Sequence, residues 1–197
     1  WFTDVNPTGS LIFHGMNPAG WRSGTGHTRT LGTGPDGAAT AADAYYMYAE
    51  TSYPNAPGRA FGLITPQIDG TEVSVGSVTG FTGSFKYHMY GQAMGVLKVQ
   101  ATTNTIPTAG TNKLSGSLAS WSDLTVNWNG TEATELAGPQ QATAAEAWRG
   151  ATFDLTTYQG SKFNIRFLYV GGITHQGDCA IDEVQLLGSD VGDFKLY

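Results

Sequence analysis

Large apolar residues alternate with polar or small ones along several short segments of the chain, which is the pattern of β-strands with one buried face. The clearest is the segment 162–170, KFNIRFLYV. One face of this predicted strand carries Phe163, Ile165, Phe167 and Tyr169. Similar patterns predict strands at 11–13, 45–50, 60–65, 73–78, 84–90, 96–102, 124–128, 149–155 and 180–187.

The connections between these segments predict how the strands are arranged. Segments 84–90 and 96–102 flank a glycine-bounded connector, GQAMG, and so predict a β-hairpin. Residues 134–148 contain the one helix-like patch, QQATAAEAW, which predicts one short helix or an ordered loop. Because strands recur without the alternation of strand and helix that parallel sheets need, we expect an all-β sandwich or jelly roll.

Length and composition agree with one turn-rich β domain. The chain has 197 residues, which suits a single all-β domain. Its 27 glycines are about twice the usual share of ~7%, and its 13% of charged residues is about half the usual ~25%. We expect residues 1–20 to be a linker or an N-terminal edge segment, 21–188 to be the sandwich, and 189–197 to be a linker to further chain.

The charge balance excludes some partners, and the cysteine count bears on the compartment. The formal net charge is −6 and the ten basic residues are scattered, so we expect neither nucleic acid nor an anionic membrane surface as a partner. No apolar stretch reaches the ~18 residues of a membrane span, so membrane insertion is not expected. The single cysteine, Cys179, permits no internal disulfide, which suggests folding in a reducing compartment or a fold that manages without disulfides. We expect Cys179 itself to be a small buried residue.

Ordered pieces of the sequence resemble the MAM family of extracellular adhesion and interaction modules. The most specific pieces are YHMYGQAMGVLKV at 87–99 and GDCAIDEVQL at 177–186. The order is completed by WR at 21–22 before a Gly/Thr loop, TGPDGAATAADAYYMYAETS at 33–52, ITPQI at 64–68, Trp148, and FNIRF at 163–167. The resemblance covers about residues 21–188 and implies a two-sheet antiparallel jelly-roll sandwich with at most one short helix.

The resemblance implies a non-enzymatic adhesion or interaction module within a larger assembly, without a cofactor.

The chain departs from the family pattern in three places. The disulfide cysteines are missing, with Gly83 and Ser84 just before the strand of Phe85 where one is expected. The acidic residue near the N-terminal strand is replaced by LIFHGMN at 11–17, and residues 100–145 are longer than is typical.

These departures suggest a bacterial or phage member of the family. We expect a phage virion surface component, such as a tail, fibre or capsid decoration, that folds in a reducing cytosol and acts on the virion or extracellular surface. The alternative is a carbohydrate-binding or adhesion module appended to a secreted bacterial enzyme. Partners would be proteins of the assembly and, as a second class, cell-surface glycans, with a homo-oligomer formed through the parent protein. Contacts would come from the loops at 22–43, 103–120 and 129–147.

Carboxylates are the first group of residues that could carry chemistry. Asp182 and Glu183 are adjacent, but neighbours in a strand face opposite sides of a sheet and cannot share a substrate. An acidic residue in the last strand of a jelly-roll module can bind a structural cation, for which Glu50 and Asp36 are conceivable partners of Asp182. Since the N-terminal acidic residue is missing, we expect instead a hydrogen-bonded carboxylate that fixes the strand.

Histidines and aromatic residues complete the candidates. The histidines at positions 14, 27, 88 and 175 lack zinc-site spacing, and His88 is expected to be a packed residue. Tyr45, Tyr46, Tyr48 and Trp128 could form a sugar-stacking platform, although aromatic residues of a sandwich are more often divided between the core and the packing of loops. No nucleophile–base set, P-loop or dinucleotide fingerprint occurs, so we expect no catalytic residue.

Overall fold

Two antiparallel β-sheets make up the structure, a computed structural model that describes residues 2–5, 20–42, 44–52, 55, 57–72, 80–104, 120–188 and 191–195. The strands are β1 (Phe2–Val5), β2 (Trp21–Gly24), β3 (Tyr46–Ala49), β4 (Ala60–Ile64), β5 (Ile68–Asp69), β6 (Phe81–Tyr90), β7 (Val96–Thr102), β8 (Ser122–Asp123), β9 (Val126–Trp128), β10 (Thr131–Ala133), β11 (Leu136–Ala137), β12 (Arg149–Asp154), β13 (Lys162–Val170), β14 (Asp178–Gly188) and β15 (Val191–Lys195). Short 3₁₀ turns lie at Gly70–Glu72 and Thr156–Tyr158. Within these described ranges, no helix has the length and apolarity that crossing a membrane requires.

All the strand pairs are antiparallel, and they form two separate sheets. The first sheet has the order β1-β4-β13-β7-β11, with β5 also beside β13 and β8 beside β7. The second sheet has the order β10-β9-β12-β6-β14-β3-β2, with β15 also beside β14. The prediction of an all-β, two-sheet antiparallel sandwich is therefore confirmed.

Aromatic rings join the two sheets face to face. The ring centroid of Phe85 on β6 lies 5.0 Å from that of Phe167 on β13, in an edge-to-face arrangement. A second pair across the sheets, Phe81 and Phe163, is 5.9 Å apart. The predicted inward face of β13 is fully buried and comprises Phe163, Ile165, Phe167 and Tyr169. This layer is the hydrophobic core of the sandwich, since edge-to-face rings add to the burial that already stabilises it.

The second sheet is also covered on its outer face. Two segments lie over it, the outer loop 25–42 and the strap 134–148. The ring of Trp148 in the strap packs 5.6 Å from that of Tyr46 on β3, and its Nε1 donates to the carbonyl of Gly37 at 3.1 Å. The small apolar cluster formed here contains Tyr46, Tyr48 and Ala180, with Ala38 and Trp148 packed against it. The centre of the second sheet is thus buried on both faces, which explains why consecutive residues are buried at the start of β14 and in β3.

The predicted β-hairpin between segments 84–90 and 96–102 is wrong, because the two strands lie in different sheets. β6 pairs with β12 and β14, whereas β7 pairs with β13, β11 and β8. The connector 91–95 therefore crosses from one sheet to the other. A strand shows the same alternation whether its neighbour in sequence lies beside it or faces it across a sandwich, so the pattern could not separate the two arrangements.

The structure also bears on the expectations for the segment 134–148, for the two ends of the chain and for two short strands. The strap 134–148 is an ordered loop with the short strand β11 and forms no helix, because its carbonyls and amides bond to other elements, as when Gln140 donates its backbone N–H to Met89. The segment 2–5, within the expected linker or N-terminal edge segment, pairs as β1 at the edge of the first sheet, and the segment 191–195, within the expected linker to further chain, pairs as β15. The predicted strands at 11–13 and 73–78 lie outside the described residues.

The crossing between the sheets leaves no room for a side chain at Gly95. A Cβ there would overlap the carbonyl oxygen of Val170. We expect Gly95→Ala to lower the free energy of unfolding in urea by about 2 kcal/mol, because the backbone must shift to accept the methyl group. Gly37→Ala is the matched control, since no atom lies within 4 Å of its Cβ position, and it should cost less than about 0.5 kcal/mol. Equal free energies of unfolding for the two variants would contradict the close packing of Gly95 where the connector 91–95 crosses between the sheets.

Candidate functional site

Loops converge at the end of the sandwich where β3, β6 and β13 finish and β4, β7 and β14 begin. We call this region the loop end, formed by the described residues of 51–58, 91–95 and 171–177 together with the outer loop. Backbone hydrogen bonds join the loops, with Gly58 donating to Gly172 at 3.0 Å and Ala93 donating to Gln176 at 2.8 Å. The hydroxyl of Thr51 also donates to the carbonyl of His175 at 2.9 Å. These bonds hold the loops in one arrangement.

An open cleft of about 640 Å³ lies between the loops. Its lining consists of Arg29, Thr51, Ser52, Asn55, Pro57, Ile173, Thr174 and His175. The side chain of Ile173 is 86% exposed at the rim. Among the described residues, the lining therefore combines one arginine, several hydroxyl and amide groups, and aliphatic surface, without an acidic side chain.

Two buried carboxylates lie beneath the cleft. β3 and β14 pair with Ala49 opposite Cys179, and continuing this register places Glu50 opposite Asp178. Side chains directly opposite each other in an antiparallel pair have Cβ atoms about 5 Å apart. Glu50 and Asp178 are 1% and 0% exposed. Sheet register thus forces two acidic groups together out of contact with water.

Asp178 is satisfied by hydrogen bonds from two loops. Its Oδ2 accepts from the hydroxyl of Thr33 at 2.7 Å, and its Oδ1 accepts from the backbone N–H of Thr51 at 3.0 Å. Burial, and after it the charge of Glu50, raises the pKa of Asp178 to about 6 despite these bonds. The carboxylate thus joins the outer loop and the loop after β3 to the start of β14.

Glu50 is only half satisfied. Its Oε1 accepts from the backbone N–H of Ser52 at 3.0 Å and from the hydroxyl of Thr30 at 3.2 Å. Its Oε2 is buried and has no hydrogen-bond partner among the described residues. A buried carboxylate oxygen without a donor is costly, and it fits a ligand that brings positive charge.

The donor set suits a hard cation such as calcium. Glu50 and Asp178 would supply carboxylate oxygens, and in the described part of the chain no three His, Cys, Asp or Glu side chains converge. The remaining ligands would therefore be hydroxyl and carbonyl oxygens, which calcium accepts. A bound cation would supply the positive charge that offsets the two carboxylates and would tie the loops to β3 and β14.

The carboxylates considered from the sequence do not form a cation site, and Asp182 is hydrogen-bonded to the backbone as the sequence analysis expected. Asp182 lies at a β-bulge before Gln185, where its Oδ2 accepts from Ala39 N–H at 2.8 Å. Its Oδ1 accepts from the N–H of Glu183, a residue with φ of +48°. Asp182 therefore fixes the bulge and the outer loop by hydrogen bonds. Asp36 instead pairs with His27 at 2.8 Å on the surface, and neither meets Glu50.

Sequence reasoning missed Asp178 as the partner of Glu50. The residue stands in the quoted motif GDCAIDEVQL, four positions before Asp182 and on the same face of the strand. Period-two counting could have placed it on the outer face of β14. The register of β14 against β3, which brings it opposite Glu50, is a tertiary fact that the alternation does not contain.

The aromatic residues proposed as a sugar-stacking platform are not exposed together. Tyr46 and Tyr48 are 2% and 8% exposed because the outer loop covers them, and Trp128 is 3% exposed in the core between the sheets. Tyr45 alone is open, at 62%. Tyr46 and Tyr48 share one face of β3, Trp128 belongs to β9, and Tyr45 precedes β3, so the four rings do not form one surface.

The histidines and the cysteine occupy different environments. His175 lines the cleft, and His14 lies outside the described residues. His88 is fully buried beside Trp148, and neither ring nitrogen has a hydrogen-bond partner among the described residues. Cys179 is fully buried, which raises the pKa of its thiol well above the ordinary value and leaves it unreactive.

Comparisons with known proteins can be set beside this geometry. The family model described as MAM domain, meprin/A5/mu matches residues 13–190. The solved K1 cleaved adhesin domain of Lys-gingipain from Porphyromonas gingivalis W83 is 16% identical, with a TM-score of 0.49 over 95% of this chain and 98% of that chain. The K2 domain of Lys-gingipain is 14% identical, with a TM-score of 0.48 over 94% and 89% of the two chains. The family match includes every strand from β2 to β14.

Calcium should stabilise the folded chain through the Glu50–Asp178 pair. We expect 10 mM calcium chloride to raise the melting temperature by about 4–8 °C relative to EDTA, because a ligand that binds only the native state stabilises it. In Glu50→Gln the rise should disappear, and the melting temperature in EDTA should be at least that of the wild type, since one of two like charges is gone. An equal calcium effect in both proteins would show that the pair holds no cation.

His88 should make the fold sensitive to acid. Burial lowers its pKa to about 4, with the neighbouring Glu146 opposing this only in part, whereas the unfolded chain has the ordinary value of 6.5. As the pH falls below 6.5 the unfolded state takes up a proton that the native state does not, so stability is lost. Between pH 7 and 4.5, urea denaturation should show a loss larger by roughly 2 kcal/mol in the wild type than in His88→Phe. Parallel losses would contradict a neutral buried His88.

Proposed function

The chain belongs to the MAM domain family, and from this premise we propose that it is a non-catalytic adhesion module that binds its partner through the loop end. The observation that carries the proposal is the cleft, where an exposed isoleucine and an arginine are held on loops tied to the sandwich. Binding residues are commonly placed on loops that a rigid scaffold positions.

Close packing and hydrogen bonds fix the backbone next to Ile173, and this keeps the side chain of Ile173 exposed at the rim of the cleft. Ile173 follows Gly172, whose backbone packs so closely on Ala93 that a Cβ at Gly172 would overlap the Ala93 carbonyl oxygen. Gly171 also donates its N–H to Arg59 at 2.9 Å. A partner that covers Ile173 would gain its burial without first ordering the loop, which is the advantage of a preorganised surface.

No hydrogen bond joins a histidine ring to a hydroxyl or thiol among the described residues. His27 contacts Asp36, His88 is buried without a partner, and His175 contributes its backbone carbonyl to Thr51. None of these histidines is paired with a hydroxyl or thiol to activate, which supports binding over catalysis.

Family membership also bears on the setting of the module. The MAM family is one of extracellular adhesion modules, which supports a module of a larger secreted protein that meets its partner outside the cell. The lone buried Cys179 supports a bacterial parent, because the fold manages without disulfides. The virion setting expected from the sequence finds no support in the comparisons, so we propose the appended module of a secreted protein.

Replacing Ile173 should weaken binding without unfolding the chain. We expect the labelled wild type to bind saturably to at least one member of a panel of immobilised polysaccharides and extracellular proteins, measured by biolayer interferometry, without cleaving it. Ile173→Asp should weaken that binding at least about tenfold, because a buried Ile is worth about 1.5–3 kcal/mol and the new charge opposes burial. Its melting temperature should stay near that of the wild type, since the side chain is 86% exposed.

Leu187→Asp is the matched control, because Leu187 is a partly exposed residue at the far end of β14, paired with Thr82. It should leave binding unchanged. Binding that is lost in Leu187→Asp and kept in Ile173→Asp would move the surface to the other end of the sandwich. A wild type that binds no member of the panel, or that cleaves one, would overturn the proposed function.

A further inference from the structure

We propose that the cleft at the loop end binds an oligosaccharide that carries carboxylate groups, with Arg29 as the residue that recognises the carboxylate. This inference rests on the proposed function, and it names the class of partner. Three observations support the inference: the charge of the cleft, the chemical groups that line it, and the pairing of the strands around it.

The charge of the cleft differs from that of the rest of the chain. The protein has a net charge of −6, yet the cleft lining contains Arg29 and His175 and no acidic side chain. Among the described residues the guanidinium of Arg29 has neither an ion pair nor a hydrogen bond, although acidic residues outnumber basic ones by 16 to 10. An exposed arginine left without a carboxylate in an acidic protein is available for one from a ligand.

The buried carboxylates beneath the cleft do not cancel this cation. Asp178 directs its oxygens to Thr33 and Thr51, and Thr51 stands between Asp178 and the cleft. Glu50 uses one oxygen for Thr30 and Ser52 and is 1% exposed. Among the described residues that line the cleft, Arg29 is therefore the one side chain of the Lys, Arg, Asp and Glu types.

The neutral lining suits a sugar. Hydroxyls and amides that both donate and accept hydrogen bonds line the cleft at Thr51, Ser52, Asn55 and Thr174. Ile173 and Pro57 add aliphatic surface against which the C–H face of a pyranose can lie. The volume of about 640 Å³ falls within the ~300–1,000 Å³ typical of small-ligand sites. A ligand with many hydroxyls and one charge per residue matches these groups.

A peptide partner fits the cleft less well. The strands that reach the cleft, β3, β4, β13 and β14, each have a neighbour on both sides, so none offers a free edge to which an extended peptide could add. The apolar groups lie on the rim, where Ile173 is 86% exposed, and do not form a deep pocket for an anchoring side chain. The observations therefore favour the oligosaccharide.

A second concavity of about 350 Å³ serves as the internal comparison. It is lined in part by Trp128, Glu135 and Arg149. Here the arginine already contacts Gln140, at 3.5 Å, and an acidic side chain shares the lining. The rings cannot stack on a sugar, since Trp128 is 3% exposed. Arg149→Gln is therefore the matched control for Arg29→Gln. It makes the same substitution in the second concavity and leaves the cleft unchanged.

The test is isothermal titration of the intact chain with four acidic oligosaccharides and their methyl esters, which have the same sugars without the charge. The probes are oligogalacturonate, oligoalginate, hyaluronan fragments and sialyllactose. We expect at least one acid to bind at least about tenfold more tightly than its ester, because the ester loses the charge-assisted hydrogen bond to the guanidinium of Arg29. Arg29→Gln should abolish the preference and leave melting unchanged, and Arg149→Gln should keep it.

The outcomes separate this inference from the proposed function. Acid and ester that bind equally, or a preference that survives Arg29→Gln or is lost in Arg149→Gln, would overturn the inference. The same holds if none of the four acids binds while a panel protein does so through Ile173. In each of those cases, binding that Ile173→Asp weakens would leave the adhesion function standing. The absence of any binding through the loop end would overturn both.

Discussion

The layer of aromatic rings between the two sheets positions the strands from whose ends the loop end is built. Phe85 packs against rings from its own sheet and against Phe167 of the facing sheet, 5.0 Å away. Because rings of this size must interdigitate to fill a core, the two sheets can face each other in only one register. That register brings the ends of β3, β6 and β13 to the same edge as the starts of β4, β7 and β14. The loop end exists because the core places these strand ends together.

Within that frame, the loops are ordered by a polar group that is costly to bury. Asp178 is fully buried, and its oxygens are occupied by Thr33 and Thr51 from two different loops. Removing a carboxylate from water is unfavourable unless its hydrogen bonds are replaced. Here the hydrogen bonds to Asp178 offset the cost of burying the carboxylate, and they also fix the irregular backbone of two loops in one arrangement. The Glu50 beside it keeps one buried oxygen without a hydrogen-bond partner among the described residues, a cost that a positive charge would offset.

Local pattern was enough to predict the class of fold but not the arrangement of the strands. The alternation in 162–170 predicted β13 and its buried face because burial on one side requires period two. The same alternation in 84–90 and 96–102 suggested a hairpin, although the glycines of the connector serve a crossing between sheets. The cleft and the Glu50–Asp178 pair could not be predicted, since both depend on register between strands that lie far apart in sequence. The resemblance to the MAM family narrowed the expected sandwich or jelly roll to a two-sheet antiparallel jelly roll.

Thr51 links the buried pair to the cleft, and this explains why they lie together. Its backbone N–H donates to Asp178 and its hydroxyl to the carbonyl of His175, while the residue itself lines the cleft. Any group that neutralises Glu50 and Asp178 therefore stabilises one wall of the cleft as well. Two ligands that favour the same ordered state strengthen each other's binding by the same factor. Loops that are held by buried hydrogen bonds are ordered before any partner arrives, so less of a binding energy would be spent on ordering them.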